Sequence, residues 1–274
     1  MKRFFALFAA LTLLCTGISA QTTACRTETN IAYRNAADDG YVDSLCRLDI
    51  CYPVDRKGFP IVVWFHGGGL TGGRREIPKA LCDKGFAVVG VDYRLAPRVK
   101  VADCVADAAA AAAWVVKNIA SYGGDPRLIF IAGHSAGGYL TSMIGLDKRW
   151  MAPYGIDPDT AFAALIPYSG QVVTHFARRR EMGIPDTQVV VDDMAPLSYV
   201  RPDCRPMLIL SGDREREMLG RYEENAYFWR MMQVAGHPDV GIREFDGFDH
   251  GNMPQAGHYV AVRYIRDFVK KRER

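Results

Sequence analysis

The chain has 274 residues, 49% of them hydrophobic and 24% charged, and its 34 basic and 31 acidic side chains leave a formal net charge of +3. That is enough apolar mass for one domain with a sizeable core. The small net charge, with no basic stripe interleaved with aromatics, excludes a nucleic-acid partner from the expectations.

The first predicted element is a leader. Met1-Lys2-Arg3 gives a positive start, Phe4 to Leu14 a short apolar run, and Ser19-Ala20 a small-residue cleavage site before Gln21. The run is shorter than the ~20 residues of a spanning helix. Residues 1–20 are therefore expected to be removed, leaving no stable membrane anchor and a secreted or periplasmic protein. Losing Lys2 and Arg3 takes the formal charge from +3 to +1. Cys15 does not read as a lipidation site, because Leu14 stands where lipoprotein signals carry a small residue. Six cysteines remain: Cys25, Cys46, Cys51, Cys82, Cys104 and Cys204. In an oxidising compartment they could pair, or they could be small buried hydrophobes. No cysteine or histidine spacing suggests a metal site.

Residues 21–274 then alternate. Strands are predicted at Leu45 to Tyr52, Pro60 to Phe65, Phe86 to Val91, Leu128 to Ala132, Ala161 to Ile166, Met207 to Leu210 and Val240 to Phe245. Helices are predicted at Pro78 to Lys84, Val101 to Ala120, Ala136 to Leu146, Glu217 to Ala235 and His258 to Lys270. The alternation predicts an α/β fold, a mostly parallel sheet with helices on both faces. The strands before Gly67 lack an intervening helix and are expected to form an antiparallel edge. The stretch from Gly170 to Tyr199 is too long for an ordinary connection. It reads either as a lid-like insertion walling the pocket or as a surface excursion.

The strongest motif is Gly133-His134-Ser135-Ala136-Gly137, between an apolar strand and a helical pattern. That is the setting of a nucleophile elbow, in which a tight turn lifts the serine hydroxyl above the strand ends. His66-Gly67-Gly68-Gly69 follows the strand Pro60 to Phe65, and consecutive glycines can turn backbone N–H groups toward a developing oxyanion. Gly67, Gly68, Gly69 and Ala136 are thus the expected donors. Serine needs a base, and the base an orienting acid. Asp213 follows a strand through Ser211-Gly212. His250 follows the last strand in the turn-rich Asp246-Gly247-Phe248-Asp249-His250-Gly251. Ser135, Asp213 and His250 therefore fall in the order serine, acid, histidine. His175, His237 and His258 are rival bases, and Glu215, Asp246 and Asp249 rival acids.

With Val91-Asp92-Tyr93-Arg94-Leu95-Ala96-Pro97, these motifs resemble the hormone-sensitive-lipase-like esterases of the α/β-hydrolase superfamily, from about Leu45 to the C-terminus. The resemblance implies an eight-stranded sheet, a Ser135–His250–Asp213 triad acting through an acyl-enzyme, and no metal or organic cofactor. Too few residues separate Gln21 from Leu45 for the N-terminal cap of larger members. The body is more similar to small bacterial carbohydrate esterases that remove acetyl or feruloyl groups. An esterified oligosaccharide or small-molecule ester is the expected substrate, with His66, His134, His175 and Arg178 as candidate contacts. An amidase, peptidase or kynurenine-formamidase-like hydrolase shares the frame, and a non-catalytic binding module is the alternative outside enzymes.

Overall fold

The computed structural model describes residues 24–35, 39–218 and 220–272. The expected leader, residues 1–20, lies outside them. The short β-branched and aromatic runs form strands: β1 (Cys25–Ala32), β2 (Arg47–Pro53), β3 (Phe59–Phe65), β4 (Ala87–Val91), β5 (Gly124–His134), β6 (Ala164–Tyr168), β7 (Met207–Gly212) and β8 (Val240–Phe245). They make one sheet in the order β1-β2-β4-β3-β5-β6-β7-β8. β1 and β2 pair antiparallel, β2 meets β4 antiparallel, and every later pairing is parallel.

β3 shows why the central strands read as unbroken apolar runs. Side chains alternate across a strand. Ile61, Val63 and Phe65 enter one core with the helices on that face, while Val62 and Trp64 enter the core on the other. Both faces are buried, so both sets of positions must be apolar.

The helices are α1 (Gly40–Leu45), α2 (Val101–Tyr122), α3 (Ala136–Leu146), α4 (Pro158–Ala161), α5 (Phe176–Glu181), α6 (Arg221–Val234) and α7 (Met253–Arg272). Residues of α2, α3 and α6 fill the first core and residues of α7 the second. The buried alanines from Ala108 to Ala113 let α2 lie close to its neighbours. Gly123, in the left-handed region at φ 95°, ends it. No helix among the described residues is long and apolar enough to cross a membrane.

Several boundaries differ from the sequence reading. β1 was not expected: CRTETNIA is a polar edge strand with an irregular register between Glu28 and Ile31, and shows no apolar run. The antiparallel edge is formed by β1 and β2 alone, because β3 crosses to the centre, between β4 and β5. The helix expected at Pro78 to Lys84 is a single 3-10 turn, Lys79–Leu81. All six cysteines among the described residues are free thiols, four of them buried.

The segment 170–199 carries α5 and a 3-10 turn at Pro196–Tyr199. It is fastened to the body along its length. Glu224 accepts hydrogen bonds from the amides of Val172 and Val173 at 3.0 and 3.2 Å. Glu181 accepts from the amide of Val101 at 2.6 Å, and the Tyr139 hydroxyl donates to the Met194 carbonyl at 2.9 Å.

Candidate active site

Ser135 stands between β5 and α3 with φ 56° and ψ −114°, a conformation an L-residue holds only when its surroundings impose it. Here they do. The Ser135 amide donates to the Tyr168 carbonyl on β6 at 2.8 Å, and its carbonyl accepts from Tyr139 at 3.0 Å. A methyl group on Gly137 would lie 1.9 Å from the Phe65 carbonyl oxygen, so the motif's last glycine is required by close approach to β3. The hydroxyl is left half-buried at the sheet's carboxyl edge and the N-terminus of α3, where the helix dipole favours negative charge.

The His250 ring joins two groups. Its Nε2 lies 2.9 Å from Ser135 Oγ, and its Nδ1 lies 2.7 Å from Glu217 Oε2. A carboxylate can only accept, so the proton sits on Nδ1 and Nε2 is free to accept from the serine. The structure therefore brings Ser135 and His250 together and departs from expectation at the acid. Glu217, not Asp213, orients the imidazole.

Asp213 is occupied elsewhere. It accepts from the amides of Glu215 at 2.9 Å and Gly247 at 2.7 Å, and its own amide donates to the Phe248 carbonyl. It clamps the turn after β7 to the loop that carries His250. Of the rival acids, Asp249 caps the next turn through the amides of Gly251 and Asn252. Glu215 and Asp246 are exposed. Sequence reasoning missed Glu217 because it was absorbed into the predicted helix Glu217 to Ala235, which starts only at Arg221.

Glu217 is fully engaged. Oε1 accepts from the Ser169 hydroxyl and the Gly212 amide, and Oε2 from His250 and the Met218 amide. Burial alone would raise its pKa; the bonds from His250, Ser169 and Gly212 outweigh burial and hold the carboxyl down at about 2. It therefore stays ionised beside the imidazole.

The glycine-rich turn lies against Ser135: a methyl on Gly67 would come within 3.4 Å of Ser135 Cβ. Gly68 has φ 111°, and a methyl there would meet the Gly72 carbonyl at 2.2 Å, so the turn closes only with glycine. The amides of Gly67, Gly68, Gly69 and Ala136 have no acceptor among the described residues. The turn is anchored by buried Leu70, whose carbonyl accepts from the Ala96 amide at 2.8 Å. Asp92 binds Arg75 at 2.7 Å, the Tyr93 hydroxyl donates to the His66 carbonyl at 2.8 Å, and Arg94 forks onto buried Asp107 at 2.7 and 2.9 Å. The Val91-to-Pro97 motif is thus the scaffold of the glycine turn.

The candidate substrate contacts are mostly spent on structure. His66 is buried, with its ring stacked 4.3 Å from Tyr93 and its Nδ1 2.6 Å from the Gly67 carbonyl. His134 Nε2–H donates to the His250 carbonyl at 2.8 Å and so steadies the loop that carries His250. His175 is buried against Tyr139 and caps α5, its Nδ1 accepting from the Ala177 amide at 3.1 Å. Arg178 pairs with Glu181 at 3.0 Å and lines a cavity on the flank. Of the rival bases, His237 holds the Cys204 carbonyl at 3.1 Å, and His258 sits in an aromatic cluster with Trp64 and Tyr168.

These enclosed imidazoles make stability depend on pH. Burial, first of all, lowers His134 and His258 to about 4 and His175 to about 3. Unfolded, each would titrate near 6.5. Depressed folded-state values mean the stabilisation is complete above about pH 6.5 and is lost as pH falls toward 4. Thermal unfolding followed from pH 7 to 4.5 should show Tm falling throughout. His258→Phe, which removes one of these protons, should flatten the slope by about 1.4 kcal/mol per pH unit at most. An unaltered slope in that variant would show that His258 takes up no proton on unfolding.

The parallel sheet, the strained elbow and the serine–imidazole–carboxylate series define the class: the chain has the α/β-hydrolase fold. Residues 48–164 match the BD-FAE family model. The chain is 30% identical over 211 residues to esterase LipQ of Mycobacterium tuberculosis, covering 70% of this chain and 50% of that protein. It is 29% identical over 233 residues to a probable isoprenylcysteine alpha-carbonyl methylesterase of Oryza sativa subsp. japonica, covering 76% of this chain and 54% of that one. The chain spans about half the length of these curated relatives. Among solved structures, Thermogutta terrifontis esterase 2 superposes with TM-score 0.69 at 25% identity, covering 88% of this chain and 94% of its own. A truncated carbohydrate esterase from gut microbiota superposes with TM-score 0.72 at 19% identity, covering 91% and 98%, and supports the fold alone.

Proposed function

We propose that the protein is an exported carboxylic ester hydrolase that forms an acyl-enzyme on Ser135, and that its substrates are esters on carbohydrate, acetyl first and feruloyl second. The observation that carries the chemistry is the unbroken series Ser135 Oγ, His250 and Glu217, at 2.9 and 2.7 Å. In this reading His250 Nε2 takes the serine proton as Oγ attacks the ester carbonyl. Unpartnered amides of the glycine turn and Ala136 receive the oxyanion. The alcohol leaves with the proton from His250, and water repeats the sequence to release the acid. Glu217 keeps the proton on Nδ1 and balances the imidazolium.

The carbohydrate assignment rests on the predicted leader, on the half-exposed nucleophile, which suits an ester carried on a bulky alcohol, and on the resemblance to carbohydrate esterases. Its test is acid release by protein lacking residues 1–20 from p-nitrophenyl acetate, acetylated xylan, methyl ferulate and an aryl amide. Acetate release from the polymer is the expected result. Turnover of the aryl amide in preference to every ester would overturn the ester reading, and turnover of the small ester alone would overturn the carbohydrate one.

A further inference from the structure

A cavity of about 520 Å³ opens on the flank of the molecule, between the start of α2, the turn after α3 and the 170–199 segment. Trp150 and Tyr154 supply aromatic surface, and Arg34, Arg149 and Arg178 supply guanidinium groups. Neither α5 nor the Trp150 turn has any part in the Ser135 series, so the mechanism does not account for this composition.

The charge balance selects the ligand. Arg34 and Arg94 share Asp107, at 2.8 and 2.7 Å. Arg149 lies on Asp147 at 2.9 Å and Asp193 at 3.4 Å. Arg178 lies on Glu181 at 3.0 Å and Asp192 at 3.9 Å. Arg34 shares its carboxylate, but Arg149 and Arg178 each face two, so these four guanidiniums meet five carboxylates and the cavity has no excess positive charge with which to hold an anion. It presents fixed donors and acceptors side by side, next to aromatic faces. A neutral polyhydroxyl ligand matches that surface. Each sugar hydroxyl both donates and accepts, and the apolar face of a pyranose covers an aromatic ring.

We propose that this cavity is a carbohydrate-binding subsite that holds a neutral stretch of glycan chain away from the ester being cleaved. The proposal rests on the carbohydrate-ester reading above and adds a place for the rest of the chain. The 170–199 segment supplies one wall through Arg178 and Met194. It also reaches the helix of the nucleophile, through the Tyr139 hydroxyl on the Met194 carbonyl at 2.9 Å. A long glycan would thus be bound by one fastened segment whose first residue, Gly170, packs against Gly138, three residues after Ser135.

Two readouts test it. The first is binding, in a Ser135→Ala background: titration with unacetylated xylohexaose, followed by calorimetry and tryptophan fluorescence. Binding is expected to alter the fluorescence and to weaken at least tenfold in both Trp150→Ala and Tyr154→Ala. The second is kinetic, in the active protein: the ratio of kcat/KM on acetylated xylan to that on p-nitrophenyl acetate should fall about tenfold in each variant, through KM. Tm of each variant establishes that it folds. Absence of xylohexaose binding, or binding indifferent to both substitutions, overturns the subsite. Binding of benzoate in place of the sugar overturns it too, as an anion site. If no acetate is released from the polymer yet xylohexaose binds at Trp150, the subsite stands and the acyl assignment falls.

Discussion

Glu217→Gln is expected to lower kcat on p-nitrophenyl acetate by about 10³–10⁴-fold, as loss of the orienting carboxylate does in serine hydrolases generally, while Asp213→Asn lowers it by less than about tenfold. The difference follows from what each side chain touches. A glutamine at 217 would offer His250 Nδ1 a neutral amide, removing the charge that balances the imidazolium and allowing the wrong tautomer. Its amide nitrogen would also lose one of the bonds now made by the Ser169 hydroxyl and the amides of Gly212 and Met218. An asparagine at 213 keeps an oxygen for the Gly247 amide and so preserves most of the clamp on the His250 loop. KM should change little in either protein, because neither group reaches the substrate. Equal losses in the two variants, or a larger loss for Asp213→Asn, would return the acid role to Asp213.

The acid is also where the sequence was least legible. Ser135 could be found because its motif is a steric necessity: two residues to either side, at Gly133 and Gly137, any side chain would strike the Phe65 carbonyl. His250 could be found because a turn-rich loop after the last strand is where a mobile base belongs. The acid has no such local mark. A carboxylate directly after β7 looks sufficient from spacing alone, yet Asp213 is drawn into a clamp between two loops. A glutamate four residues further on, with one more methylene, covers the remaining distance. Nothing in Ser211-Gly212-Asp213-Arg214-Glu215-Arg216-Glu217 says which acid the turn will aim inward. That depends on Ser169, brought alongside from β6 only by the fold.

The same contrast holds for the fold. The doubly buried strands β3 to β7 were legible because burial on both faces forces continuous apolar runs. β1 was not, because one polar edge strand among charged residues carries no period. The central place of β3 is a property of strand order, and hydropathy is silent on that. The histidines misled for a different reason. His66, His134 and His175 sit in or near the motifs, but each ring has a nitrogen bonded to the backbone that shapes the site: His66 to the Gly67 carbonyl, His134 to the His250 carbonyl and His175 to the Ala177 amide. Three imidazoles that looked like substrate contacts are fasteners.

Ser135→Ala is expected to remove about 10⁶-fold from kcat, close to the whole advantage of the covalent route, since serine and base act as one unit. The fold should survive. The strained φ of 56° is imposed by the Ser135 amide on the Tyr168 carbonyl and by the approach of Gly137 to β3, and neither uses the hydroxyl. Tm should therefore stay within about 2 °C of the parent, as for a substitution that removes a half-exposed hydroxyl without opening a cavity. A residual rate above that of water should remain, because the amides of the glycine turn still receive charge from a directly attacking water. The covalent step has its own readout. A p-nitrophenyl phosphonate ester should add its phosphonyl group to the intact mass of the parent as Oγ displaces p-nitrophenolate at phosphorus, with the serine proton passing to His250. The alanine protein should gain no such mass. An unchanged kcat in Ser135→Ala, or labelling of both proteins at the same rate, would remove Ser135 as nucleophile, and with it the reading of the whole serine–imidazole–carboxylate series.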